Sequence, residues 1–343
     1  MRTPPSTRSF GRINADRRRT GFTVVELTVV IAVIAVIISI TLFTVGGVRS
    51  RARTAQCLSN QRQIAQACAS YATANSGKLV SPRTEFSAGG GSLIRVDGTD
   101  LPWSAVRREY VHTWVLDRVE GVKTNTASVS GQEYELPAAI TDGKLFPYLG
   151  TASIYVSPDE PAAPTNLVTA GIVGFPARPR SYSLNGLLGV SRPDETPVFD
   201  PYFTAPLNGK AVTVDQLNTT SLATIRQPQR MLCSVVEDDT FSFNLNGFIV
   251  APNEARWFDC PAFWRRDAIT HSYVDGSVDT HSLSKRSLPE DVAAYGHTDN
   301  PNAKYLQPPD GGGIASDWVY FRDRMNPGVI PDYPRLGIPG SAN

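Results

Sequence analysis

Apolar positions are distributed very unevenly along the chain. Residues 27–45 form an almost unbroken apolar run, interrupted only by Thr28, Ser39, Thr41 and Thr44. Glu26 is the only charge between Arg19 and Arg49. A helix through 27–45 is long enough to cross ~30 Å of hydrocarbon at ~1.5 Å per residue. After Gly46-Gly47 the pattern changes. Cys57, Ile64, Cys68 and Tyr71 recur at spacings of seven, four and three, which predicts an amphipathic stripe. Asn75-Ser76-Gly77 supplies a helix stop that tolerates left-handed backbone. The spacing therefore predicts one helix over 22–74, about 53 residues and ~80 Å long, with Gly46-Gly47 placed for a bend.

Beyond Gly77 the apolar runs are short and separated by turn residues. Strands are expected at 153–156, 181–184, 211–214, 231–236 and 241–250. The clearest hairpin joins 269–274 to 277–283 through Asp275-Gly276, read as a two-residue turn. That register sets Tyr273 opposite Val278 and Ser272 opposite Asp279. From about residue 288, Pro308-Pro309 and Gly311-Gly312-Gly313 indicate an extended surface tail around a short strand at 318–321. No internal repeat is evident. The expected fold class is α+β: a long N-terminal membrane-spanning helix packed against an antiparallel β-sheet head with long loops.

Charge refines the first element. Arg2, Arg8, Arg12, Arg17, Arg18 and Arg19 precede the apolar run and hold the N-terminus in the cytoplasm by the positive-inside rule. Lys+Arg total 33 against Asp+Glu 32, so overall charge does not suggest a nucleic-acid surface. Gly 27 and Pro 26 fit a loop-rich head. Gly46-Gly47-Val48-Arg49 is a poor secretory cleavage site. Gly21, by contrast, lies before the run, and a cut there leaves the helix on the mature chain. A carboxylate in a membrane helix costs ~2.5–3.5 kcal/mol at the bilayer centre and less at the interface. The new amine of Phe22, within one turn of Glu26 or on a neighbouring chain, would be its partner.

Gly21-Phe22-Thr23-Val24-Val25-Glu26 resembles the class III leader of type IV prepilins and type II secretion pseudopilins. The resemblance implies a pilin-like fold and cleavage after Gly21 by a prepilin peptidase, which then methylates the Phe22 amine. It also implies that Glu26 helps assemble subunits into a helical fibre. The division that follows is a leader at 1–21, a helix at 22–76 and a periplasmic head at 77–343. Within the helix, 22–48 serve membrane and assembly, and 49–76 pack on the head. Implied partners are the peptidase, other pilin or pseudopilin subunits and an inner-membrane assembly platform. Cys57-Leu58-Ser59-Asn60-Gln61-Arg62-Gln63-Ile64 further resembles a block of long prepilin-like proteins, abundant in planctomycetes and similar to the major pseudopilin. Phe146-Pro147-Tyr148-Leu149, Val156-Ser157-Pro158-Asp159, Arg180-Ser181-Tyr182-Ser183-Leu184-Asn185 and Tyr273-Val274-Asp275-Gly276-Ser277-Val278 agree with that group. Arg265 stands where the group often has a histidine.

Catalytic patterns are scarce. The histidines are His112, His271, His281 and His297, and the expected register puts His271 and His281 on opposite faces. HExxH, P-loop, CxxC-pair and nucleophile-elbow patterns are absent from the sequence, so no enzyme is expected. Some major pseudopilins bind calcium through a carboxyl-rich C-terminal loop, which makes Asp275 and Asp279, with Asp238 or Asp239, candidate ligands. Turn chemistry and a solvated strand face explain the same two aspartates without a metal. Cys57 and Cys68 lie ~16 Å apart on one helix, too far to bridge each other, and suit an apolar stripe. Cys233 and Cys260 are a candidate disulfide in an exported head. Trp257, Phe258, Phe263 and Trp264 form an aromatic cluster suited to a core, with a subunit contact as the alternative. Three function classes fit: a fibre subunit, a membrane-anchored binding protein using a prepilin-type anchor, and an anchored periplasmic enzyme. The leader favours the first.

Overall fold

A computed structural model describes residues 22–86, 93–96, 99–102, 113–119, 123–129, 132–160, 179–189, 217, 219–237, 247–250, 259, 261–262, 264, 268–283 and 314–330. Helix α1 (Val24–Ala74) passes through Gly46 and Gly47 without a break. Glycine permits a bend but does not force one, and a side chain at Gly47 would meet nothing within 4 Å. The helix ends where the stop was expected. Ser76 and Gly77 turn left-handed, at φ 57° and 84°, and the Gly77 amide donates to the Ala72 carbonyl at 2.7 Å. The chain forms two compact units, 1–51 and 52–343, and α1 contributes residues to both.

Short pairings come first in the second unit. Strands β1 (Glu85–Phe86), β4 (Arg118–Val119) and β5 (Lys123–Thr124) form one small sheet. The pairs β2 (Leu93–Val96) with β3 (Thr99–Pro102) and β6 (Thr126–Val129) with β7 (Gln132–Glu135) form two more. Helices α2 (Pro137–Asp142) and α3 (Phe146–Leu149) follow. Residues 153–156, expected as a strand, instead contribute to a 3-10 turn at Ala152–Tyr155. There the Thr151 side chain accepts from the Ser153 amide. A local cap satisfies this backbone without a strand partner.

The main sheet is antiparallel, with β8 (Tyr182–Leu184), β9 (Leu232–Val236), β10 (Ala268–Tyr273) and β11 (Val278–Ser282) in the order β11-β10-β9-β8. The second half of α1 covers one face, where Ile64, Ala65, Cys68, Tyr71 and Ala72 join Tyr182, Leu184, Cys233 and Val236 in a buried core. A second core lies on the other face, and here the sequence expectation fails. Residues 318–321 are not a strand in an extended tail but part of helix α4 (Ile314–Met325). Trp318, Phe321 and Met325 recur at helical spacing and pack with Leu232, Val235, Phe248 and Ile269. The sheet is thus covered by helices on both faces. Arg180 ties the loop layer to it, donating to Glu135 at 2.9 Å beneath the surface and stacking over Trp114.

The α1–sheet seam is more polar than its periodicity suggests. Cys57, Asn60, Gln61 and Ile64 follow the i, i+3, i+4, i+7 pattern, and all four are buried. Gln61 Nε2 donates to Thr270 Oγ1 at 2.9 Å, and Gln61 Oε1 accepts from Ser234 Oγ at 3.4 Å. Asn60 Nδ2 donates to the Val156 carbonyl at 3.1 Å. Cys57 Sγ sits 2.9 Å from Thr270 Oγ1 and accepts from the Tyr182 hydroxyl at 3.3 Å, so it joins this polar ladder while also belonging to the α1-side core, as its place in the stripe predicts. Gln61→Leu keeps the volume but strips a donor and an acceptor from buried hydroxyls. It should lower head stability by about 1–3 kcal/mol. Arg62→Ala, on the exposed side of the same turn, should change it by less than about 0.5 kcal/mol. Urea denaturation of both variants checks the contrast.

Candidate functional site at the start of the first helix

Gly21 lies outside the described residues; Phe22 is exposed and lies two residues before the start of α1, with Thr23 between. Thr23 caps that helix. Its hydroxyl accepts the Glu26 amide at 3.2 Å, while Glu26 Oε2 accepts from both the Thr23 amide and hydroxyl at 2.9 Å. This reciprocal arrangement is a capping box, and the Thr-x-x-Glu spacing that signals it is present in the sequence. The carboxylate therefore points back along α1 to Thr23, away from the apolar run. Its position in the first turn also suits the helix dipole.

The apolar side chains that follow, through Ile40, find no core among the described residues of their unit. Leu27, Val29, Val30, Ile31, Val33, Ile34, Val36, Ile37, Ile38 and Ile40 are all exposed. The polar side chains among them turn inward instead: Thr28 Oγ1 donates to the Val25 carbonyl at 2.8 Å and Ser39 Oγ to the Ala35 carbonyl at 2.7 Å. A helix that satisfies its own hydroxyls while exposing aliphatic carbon suits a non-aqueous surrounding. The side chains of residues 41–46 lie outside the described residues, and among the described residues no helix is long and apolar enough to cross a membrane. The span rests on the sequence.

Residues 16–42 match the prokaryotic N-terminal methylation motif. The match contains Gly21, Phe22 and Glu26, and the chain is prepilin-like over that segment. No curated protein and no solved structure matches the chain. The methylation motif therefore coincides with the capping box and the first part of the exposed apolar helix.

The other candidate residues lie in the head, and there the hairpin corrects the expected register. Ser272 pairs with Val278, His271 with Asp279 and Ile269 with His281. The turn uses three residues, Val274-Asp275-Gly276, and is closed by the Tyr273 amide on the Ser277 carbonyl at 2.8 Å and the Gly276 amide on the Tyr273 carbonyl at 3.0 Å. Gly276 takes the left-handed position, at φ 88°. Such a loop is the three-residue alternative to the two-residue Asp-Gly turn. A shift of one residue reverses every facing relation. His271, Asp279 and His281 consequently share one face, not opposite ones.

Helix α4 packs on that face. His271 is fully buried, with Nε2 3.0 Å from both the Tyr273 and Tyr320 hydroxyls. His281 Nε2 lies 2.7 Å from Asp317 Oδ1 and its ring stacks on Tyr320, whose ring also packs against the Arg324 guanidinium. Asp275 Oδ1 accepts from the Ser277 amide at 2.9 Å and its hydroxyl at 2.6 Å; Asp279 Oδ1 accepts from the Thr280 amide at 2.7 Å. Turn and strand bonds account for both aspartates. Among the described residues no group of three His, Cys, Asp or Glu side chains is arranged to hold a metal ion. Asp238, Asp239, His112 and His297 lie outside them, as do Cys260, Arg265, Trp257, Phe258 and Phe263. Trp264 packs at the edge of the α1-side core, and Cys233 is a buried free thiol in β9.

Burial is the main cause that pushes His271 down to about 4; Asp279 opposes it and Arg324 adds to it. The folded head therefore keeps His271 neutral, while the unfolded chain takes up a proton near pH 6.5. As pH falls from about 6.5 to about 4, this difference should remove on the order of 3 kcal/mol of stability. In Gln-substituted protein, His271→Gln, the loss over that window should be smaller. Thermal melts across the window, wild type against variant, give the comparison.

Proposed function

We propose that this chain is a non-catalytic structural subunit of a type II secretion pseudopilus or type IV pilus-like fibre. A prepilin peptidase cuts between Gly21 and Phe22 and methylates the new Phe22 amine. The apolar run at 27–45 anchors the precursor in the inner membrane, with the leader cytoplasmic and the head periplasmic. An assembly platform then moves the subunit into a fibre made with other pilin or pseudopilin subunits. The observation that carries this reading is the Glu26 carboxylate, held back on Thr23 beside Phe22 at the head of an apolar helix whose described side chains through Ile40 are exposed in their own chain.

In a bundle of such helices water is excluded, and an unpaired carboxylate is costly. Pairing Glu26 with the Phe22 amine of an adjacent subunit forms a charge-assisted hydrogen bond only at the correct axial stagger. Mass spectrometry of the mature protein should find N-methylated Phe22 as the first residue. An N-terminus after Gly47, or Met1 in assembled protein, would exclude the reading. Glu26→Val should leave insertion and cleavage intact while reducing incorporation beside wild-type subunits, and Glu26→Gln should fall between the two. Equal recovery of Glu26→Val and wild type in sheared fibres would remove the register role of Glu26.

A further inference from the structure

A β-bulge on β9 controls which core receives a cysteine. Pairing with β10 steps from Ser272–Ser234 to Tyr273–Leu232, which leaves Cys233 as the extra residue. Leu232 and Val235 remain in the α4-side core, whereas Cys233 joins Met231 and Val236 in the core beneath α1. On α1, Cys68 lies one turn beyond Ile64 and Ala65 on the buried stripe, in that same core. The two thiols are neighbours there, close enough to hydrogen-bond, and both cysteines are buried.

We propose that Cys68 and Cys233 are a cross-linking pair, closing into a disulfide that clamps the second half of α1 to β9 as the head folds in an oxidising compartment. The compartment rests on the exported location in the proposed function; the pairing rests on the bulge and the shared core. A Cys68–Cys233 bond excludes the candidate Cys233–Cys260 bridge, because Cys233 has one sulfur to give.

The reaction is thiol–disulfide exchange. One of the two cysteines, as thiolate, attacks a sulfur of an external disulfide oxidant. That S–S bond breaks, a mixed disulfide forms, and one oxidant sulfur leaves as thiolate. The second cysteine then displaces the other oxidant sulfur. Two thiols of this chain are oxidised, the oxidant's disulfide is reduced to two thiols, and the two protons pass to the departing sulfurs. In the folded reduced head, hydrogen bonding to Cys233, and then burial, push the Cys68 thiol well up, so it remains protonated and poorly nucleophilic. Closure therefore belongs to folding, when both sulfurs are accessible, and the folded reduced protein oxidises slowly.

The test uses the full chain in detergent, reduced and unfolded, then refolded in a glutathione redox buffer. Non-reducing peptide mapping should recover a Cys68–Cys233 peptide. Reduction should lower the melting temperature by roughly 5–10 °C. Cys260→Ser should keep that shift and Cys68→Ser should lose it; the mapping on wild-type protein needs no variant to fold. A Cys233–Cys260 peptide, or free Cys68 and Cys233 after refolding, would overturn the pairing. If the refolded chain carries the bridge but protein isolated from cells has both thiols free, the pairing stands and the exported location fails.

Discussion

The contact on which the head depends is the seam between the second half of α1 and the main sheet. Gln61 sits at its centre, reaching Thr270 on β10 and Ser234 on β9, so a single helical side chain fixes the helix against two strands. Farther along the helix Ala65, Ala67 and Ala72 are buried in the α1-side core. An apolar stripe alone would allow the helix to slide or rotate by a residue. The buried hydrogen bonds do not, because any such shift leaves hydroxyl and amide groups unpaired.

One helix therefore meets two demands that pull its composition in opposite directions. In its first half the described side chains through Ile40 expose aliphatic carbon while Thr28 and Ser39 bond back to the helix, whereas its second half buries one face and turns Arg49, Arg51 and Arg62 to solvent. Arg53 lies 3.9 Å from Asp159 but remains largely exposed, so this ion pair contributes little. Helix continuity across Gly46 and Gly47 joins the two halves in a single backbone hydrogen-bond ladder.

Legibility followed how local each signal is. The methylation motif around Gly21, Phe22 and Glu26 was readable because it is linear, and the Thr23 cap could have been read from the same spacing. The extent of α1, β9 and the hairpin strands came from periodicity and turn residues. Asn60 and Gln61 were missed because polar residues on a helix are ordinarily assigned to solvent, and their partners lie far away in sequence. Helix α4 was obscured by the neighbouring Pro308-Pro309 and Gly311-Gly312-Gly313, although Trp318, Phe321 and Met325 carry helical spacing. The facing of His271 and His281 turned on one residue. Asp275-Gly276 fits either a two- or a three-residue loop, and the Asp275–Ser277 bonds, together with burial of His271 against α4, accompany the longer one.

The central claim is that residues 52–74 are part of the head, not a stalk attached to it. Two truncated chains, one beginning at Ala52 and one at Gly77, test it directly by urea unfolding and sedimentation. The chain from Ala52 should be a monomer that unfolds in one cooperative transition. The chain from Gly77 loses the cover over one sheet face and should aggregate or unfold without a cooperative transition. Equal stability of the two chains would contradict the account.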